Sequence, residues 1–91
     1  MSHVWVLSTN SDLLRADQIR QLNIVEGLRA VMIGGNQFLL ADIDCHQDCM
    51  AVARELTAAI ATAEARDHWA EIAVVHGDHG WMVEVRSTPS T

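Results

Sequence analysis

The stretch CMAVARELTAAIATA, Cys49 to Ala63, places Cys49, Val52, Ala53, Leu56, Ala59, Ile60 and Ala63 at the three-and-four spacing of one helical face. Arg54, Glu55, Thr57 and Thr62 fall largely opposite, so the segment reads as an amphipathic helix with a polar outer side. Its apolar stripe is mostly alanine and therefore shallow, which suits close packing on a sheet. Asp44 or Cys45 stands where an N-cap belongs, and Asp48 lies in the first turn, where a negative charge complements the helix dipole. Arg66-Asp67-His68 ends the helix.

Upstream, the period changes from that of a helix to that of strands. HVWVLS, His3 to Ser8, is rich in Val and Trp, and the turn formers Thr9-Asn10-Ser11-Asp12 follow it. IRQLNIV, Ile19 to Val25, reads as a strand whose apolar phase slips over Arg20 and Gln21, as a β-bulge would produce. Glu26-Gly27 turns into Leu28 to Ile33, and Gly34-Gly35-Asn36 turns again into Gln37 to Ala41. The middle of the chain is therefore expected to be an antiparallel meander. Downstream, Ala70 to Val75 and Trp81 to Arg86 flank His76-Gly77-Asp78-His79-Gly80, a glycine-bearing connection of hairpin length. In the second arm Trp81, Val83 and Val85 alternate with Met82, Glu84 and Arg86, so one face should pack and the other meet solvent or a partner.

The predicted fold is α+β: an antiparallel sheet of about five to six strands with one long helix packed on it, in the order β-β-β-β-α-β-β. Residues 1–86 form the expected single domain and 87–91 a disordered tail. Ninety-one residues suffice for one hydrophobic core and not for two. Apolar residues at 49% against 20% charged describe a chain that folds.

A net charge of −6, from six Arg, no Lys and twelve acidic residues, leaves no basic stripe for phosphates, and nucleic acid is not an expected partner. Charges at Asp12, Arg15, Asp42 and Glu71 interrupt the apolar stretches before the ~20 residues that a membrane-spanning helix needs. With no visible secretory signal, the expected location is the cytoplasm, where Cys45 and Cys49 would remain free thiols.

Two clusters carry metal-ligating chemistry. His76, Asp78 and His79 bring two imidazoles and a carboxylate to one short loop, residue types that suit zinc, nickel or copper. Turn chemistry selects Gly, Asp and His in the same place. Cys45 and Cys49, with Asp42, Asp44, His46 and Asp48 around them, form the second cluster. Their C-x3-C spacing departs from the C-x2-C knuckle of structural zinc sites, and Cys49 fits the buried helix face as a small hydrophobe. No Gly-x-Ser-x-Gly or Cys-Gly signature accompanies a histidine base, so no catalytic residue is assigned and the chain reads as non-enzymatic without a cofactor. Cys45 at the helix N-terminus supplies at most a thiol-redox role. Among the aromatics, Phe38 and Trp81 are expected in the core. Trp5, on an expected edge strand, and Trp69 are the candidate interaction residues.

Trp5-Val6-Leu7-Ser8, Leu13-Leu14, Ile19, Ala30, Leu40 and the helix from Cys49 to Ile60 together resemble a family of short, uncharacterised Gram-positive bacterial proteins. Those chains open with a Trp-Ile/Val-Arg-Ser strand and continue through a small β-meander. A Leu-Gly-x-Tyr-Ser/Thr segment then leads into a helix with a Val-Leu-x-x-Ile stripe. Here Leu40-Ala41-Asp42-Ile43-Asp44 stands for that segment and Val52-Ala53-Arg54-Glu55-Leu56 for the stripe, with the match running over residues 4–62. Leu7 replaces the family's Arg and Ala41 its Gly, and the C-terminal hairpin has no counterpart. The resemblance implies a bacterial protein of this fold and supplies no activity.

Function is accordingly expected to lie in surfaces. The leading expectation is a protein-interaction module that forms a homodimer through an edge strand or the C-terminal hairpin. The alternative is a metal-binding protein using His76, Asp78 and His79 or the Cys45 and Cys49 cluster.

Overall fold

The computed structural model describes residues 3–66 and 68–89. It is α+β, with one helix and two sheets. Strand β1 (Val4–Leu7) pairs with β2 (Leu13–Arg15), a 3-10 turn at Ala16–Gln18 follows, and β3 (Ile19–Ile24), β4 (Leu28–Met32) and β5 (Gln37–Ala41) form the meander. Helix α1 (His46–Glu64) then crosses to β6 (His68–Gly77), which turns into β7 (Gly80–Pro89).

The expected single antiparallel sheet is corrected to a four-stranded sheet in the order β2-β1-β6-β7 and a three-stranded sheet in the order β3-β4-β5. The physical reason is that β1 has both edges occupied. It pairs antiparallel with β2 through Trp5–Arg15 and Val6–Leu14, and parallel with β6 through Val4–Ala70 and Val6–Ile72. No hydrogen-bonding edge of β1 is left for the meander, which closes on itself through two hairpins. A parallel neighbour requires a long crossover, and the meander and α1 together supply it.

The predicted helix is present, with Cys45 at the N-cap and Asp48 in the first turn. Cys49, Val52, Leu56 and Ala63 are its buried residues, four of the seven on the stripe read from the sequence, and Ala53, Ala59 and Ile60 pack beside them. Alternation along β1 buries Val4 and Val6, and along β6 it buries Ala70 and Ile72. Leu28, Ala30, Leu40 and Ala41 of the meander join the same cluster, so one core is shared by both sheets and the helix. Phe38 and Trp81, expected in the core, are half-buried and pack against its outside. The phase slip in β3 is a register shift between Ile19 and Gln21 opposite β4.

The β3–β4 connection shows why Gly27 follows Glu26. Both take left-handed conformations, with φ of 52° at Glu26 and 103° at Gly27. Gly27 is also buried, and a Cβ there would stand 2.7 Å from the Ala41 carbonyl oxygen.

The C-terminal hairpin is longer than its apolar core suggests. β6 and β7 pair from His68–Pro89 to Gly77–Gly80 without a break in register. Ser87, Thr88 and Pro89, expected in a disordered tail, are therefore strand residues, held by pairing with Ala70, Trp69 and His68. Ser90 and Thr91 lie outside the described residues.

Candidate functional site

Among the described residues, the ten residues of β7 have a strand neighbour on one side only, because β7 ends the order β2-β1-β6-β7. Which of its backbone groups point outward follows from one hydrogen bond. Ala70 N–H donates to the His3 carbonyl at 3.1 Å, so Ala70 directs its backbone toward β1 and away from β7. Its partner Ser87 must then be a non-hydrogen-bonded pair in the β6–β7 ladder, with its own N–H and C=O turned outward. Counting by two along the strand, Trp81, Val83, Val85, Ser87 and Pro89 face the open edge. Pro89, which has no N–H, stands on that outer side, where the internal ladder asks for no donor.

The open edge is apolar on one face and charged on the other. Val85 is 47% exposed. Beside it a cavity of about 270 Å³ is lined by Ala59, Ala63, Arg66, Ala70, Val85 and Ser87, between the C-terminal half of α1 and the hairpin. On the opposite face Glu84 Oε1 accepts from Arg86 Nε at 2.9 Å, with 43% of the Glu84 side chain and 75% of the Arg86 side chain exposed.

The two candidate interaction tryptophans share that second face. Val4, Val6, Ala70 and Ile72 point into the core, so Trp5 and Trp69, at alternate positions of neighbouring strands, point away from it. Both are half-buried, and Trp5 pairs in register with Glu71, two residues along β6 from Trp69. Trp5 does not lie on an edge: β1 is interior, between β2 and β6.

Neither metal-ligating cluster assembles. Among the described residues no three His, Cys, Asp or Glu side chains come together as a metal ion would require. His76 is in β6, where it pairs with Trp81 and its ring meets the indole edge-on at 4.9 Å between centroids, while Asp78 and His79 make the exposed turn. At the helix start, Cys45 is exposed and its side chain makes no capping bond, whereas Cys49 is 1% exposed in the core. Burial pushes the Cys49 thiol pKa up, since the thiolate would lose its hydration. The four-residue spacing that suggested a pair of ligands thus separates one thiol into solvent and one into the core.

Sequence reasoning pointed to an edge strand or the C-terminal hairpin but not to which side of β7 is open, because parity of hydrogen bonding depends on which strands are neighbours. The signal available was Pro89, which is tolerated in a strand only on an edge or at a strand end. In comparisons with known proteins, no family, no curated protein and no solved structure matches this chain.

Proposed function

We propose that this protein is a non-enzymatic interaction module that associates with a second copy of itself through the open edge of β7. The observation that carries the proposal is the ten-residue strand with one unpaired side, bearing outward backbone groups at alternate residues from Trp81 to Ser87. Such an edge gains main-chain hydrogen bonds from an added strand, and a second copy brings a matching edge. The half-exposed Val85 and the apolar cavity beside it add surface that leaves water on pairing. Trp5 and Trp69 supply a second, aromatic contact face for another protein. The cytoplasm is the proposed setting, where Cys45 and Cys49 stay reduced.

Native mass spectrometry and light scattering of the untagged protein, from about 1 to about 500 μM, test the proposal, a span chosen to bracket micromolar association. A concentration-dependent dimer is expected. A monomer throughout that range overturns it.

A further inference from the structure

We infer that two copies join β7 to β7 in one antiparallel register, centred on Val85, with Glu84 of each chain opposite Arg86 of the other. This rests on the self-association proposed above and specifies its geometry. Two identical edges related by a twofold axis pair residue k with a residue at a fixed sum, and the hydrogen-bonding phase restricts the choice. The outward backbone groups are those of odd-numbered residues from Trp81, so hydrogen-bonded pairs must join odd residues to odd residues.

Charge selects among the registers that remain. Centring the axis on Val85 places Val85 opposite its own copy, Val83 opposite Ser87, and Glu84 opposite Arg86 twice. Centring it on Glu84 brings two carboxylates face to face, and centring it on Arg86 does the same for two guanidinium groups, both unfavourable for directly opposed residues. Centring it one step further, on Val83 or Ser87, leaves Arg86 opposite Gly80 or Thr88, with no carboxylate across from it. Only the Val85 axis converts the existing Glu84–Arg86 contact within each strand into a network of four alternating charges across the seam.

The apolar face agrees with the same axis. In that register Val83 of the second copy stands opposite Ser87, at the rim of the cavity that Val85, Ser87 and the Ala59–Ala63 side of α1 enclose. The two Val85 side chains meet at the axis and cover each other. The result is a continuous sheet of eight strands, twice the four observed in one chain, with both α1 helices on one face.

The test is charge reversal read by sedimentation equilibrium, with circular dichroism verifying that each variant folds. Glu84→Arg places Arg opposite Arg86, and Arg86→Glu places Glu opposite Glu84. Each should weaken dimerisation by about tenfold or more, since attraction at two symmetric pairs becomes repulsion. The double variant Glu84→Arg/Arg86→Glu restores opposite charges in this register and should recover dimerisation to within about threefold of wild type, a residual difference under 1 kcal/mol. A cross-link supports the same axis: Val85→Cys in a Cys45→Ser background should give an intermolecular disulfide under mild oxidation, and Glu84→Cys in that background should not. A wild-type dimer whose affinity is unmoved by either single reversal, or not recovered by the double variant, overturns the register while leaving self-association standing. A monomeric wild type overturns both.

Discussion

His76 and Trp81 face each other across the β6–β7 hairpin, their ring centroids 4.9 Å apart and their planes at 69°. The edge-to-face geometry sets the positive rim of one ring against the negative face of the other, and such pairs contribute about 1 kcal/mol beyond the area they bury. It also ties the hairpin, one pair short of the closing Gly77–Gly80 pair, to the helix, because Trp81 packs on the core and lines a cleft with Val52 and Glu55. Trp81→Ala should therefore lower stability by about 2 kcal/mol, less than a fully buried tryptophan because this one is half-buried. Urea denaturation followed by circular dichroism measures it. Trp81→Phe, which keeps a ring beside His76, should recover more than half of the loss.

The same contact bears on metal. The His76 ring meets an indole, and among the described residues no carboxylate or carbonyl holds it as one would orient a metal-ligating imidazole. With no triad of ligands among the described residues, a chelator should leave the melting temperature unchanged within about 1 °C, since a ligand that binds the native state shifts it by mass action. Differential scanning calorimetry with and without chelator is the measurement, and a fall of several degrees would restore the histidine loop as a metal site.

Local elements were legible in this sequence, and long-range pairing was not. The helix followed from the spacing of Val52, Leu56 and Ala63, because a helix is stabilised by contacts three and four residues apart. The β3 bulge followed from the slip at Arg20 and Gln21 for the same local reason. The parallel contact of Val6 with Ile72 spans most of the chain, and an alternating apolar strand carries no mark of which neighbour it will take. β2 is three residues long, too short for any period to register. Of the candidate site, the alternation that leaves Glu84 and Arg86 on one face was readable, whereas the openness of the β7 edge depends on the strand order.

Gly27 and Gly35 both have positive φ, 103° and 93°, yet they should respond differently to alanine. At Gly35 nothing among the described residues lies within 4 Å of the added Cβ, so Gly35→Ala meets only the left-handed backbone penalty, about 1 kcal/mol. At Gly27 the methyl would also stand 2.7 Å from the Ala41 carbonyl oxygen and 3.1 Å from the Leu39 side chain, and backbone cannot yield cheaply there. Gly27→Ala should cost about 3 kcal/mol, a large part of the ~5 to 15 kcal/mol that stabilises a whole domain. Paired urea midpoints for the two variants give the comparison, and equal losses would contradict the close approach.

Leu56, fully buried at 0% exposed, lies at the centre of the helix stripe. Leu56→Ala should lose about 3 to 4 kcal/mol through lost burial and the cavity left behind. Val85→Ala, at an exposed position, should change monomer stability by under about 0.5 kcal/mol. Thermal unfolding at low protein concentration separates the two, and a large loss at Val85 would place it in the monomer's own core.

The two thiols give a pH-dependent prediction with a definite sign. Cys49 is in the core and its pKa is raised by burial, so in the alkaline range the folded chain keeps a proton that the unfolded chain has released. The folded state then binds more protons than the unfolded state, and stability falls as pH rises from the ordinary thiol range toward the folded pKa. Below that range both states hold the proton and the slope vanishes. Urea midpoints at intervals from pH 7 upward should decline, and Cys49→Ala should flatten that part of the decline while lowering stability at neutral pH by about 1 kcal/mol for the lost burial. Alkylation at neutral pH gives the kinetic counterpart: exposed Cys45 should react in the folded protein and Cys49 only after denaturant is added. Two thiols modified at equal rates in the native protein would show that Cys49 is not held in the core.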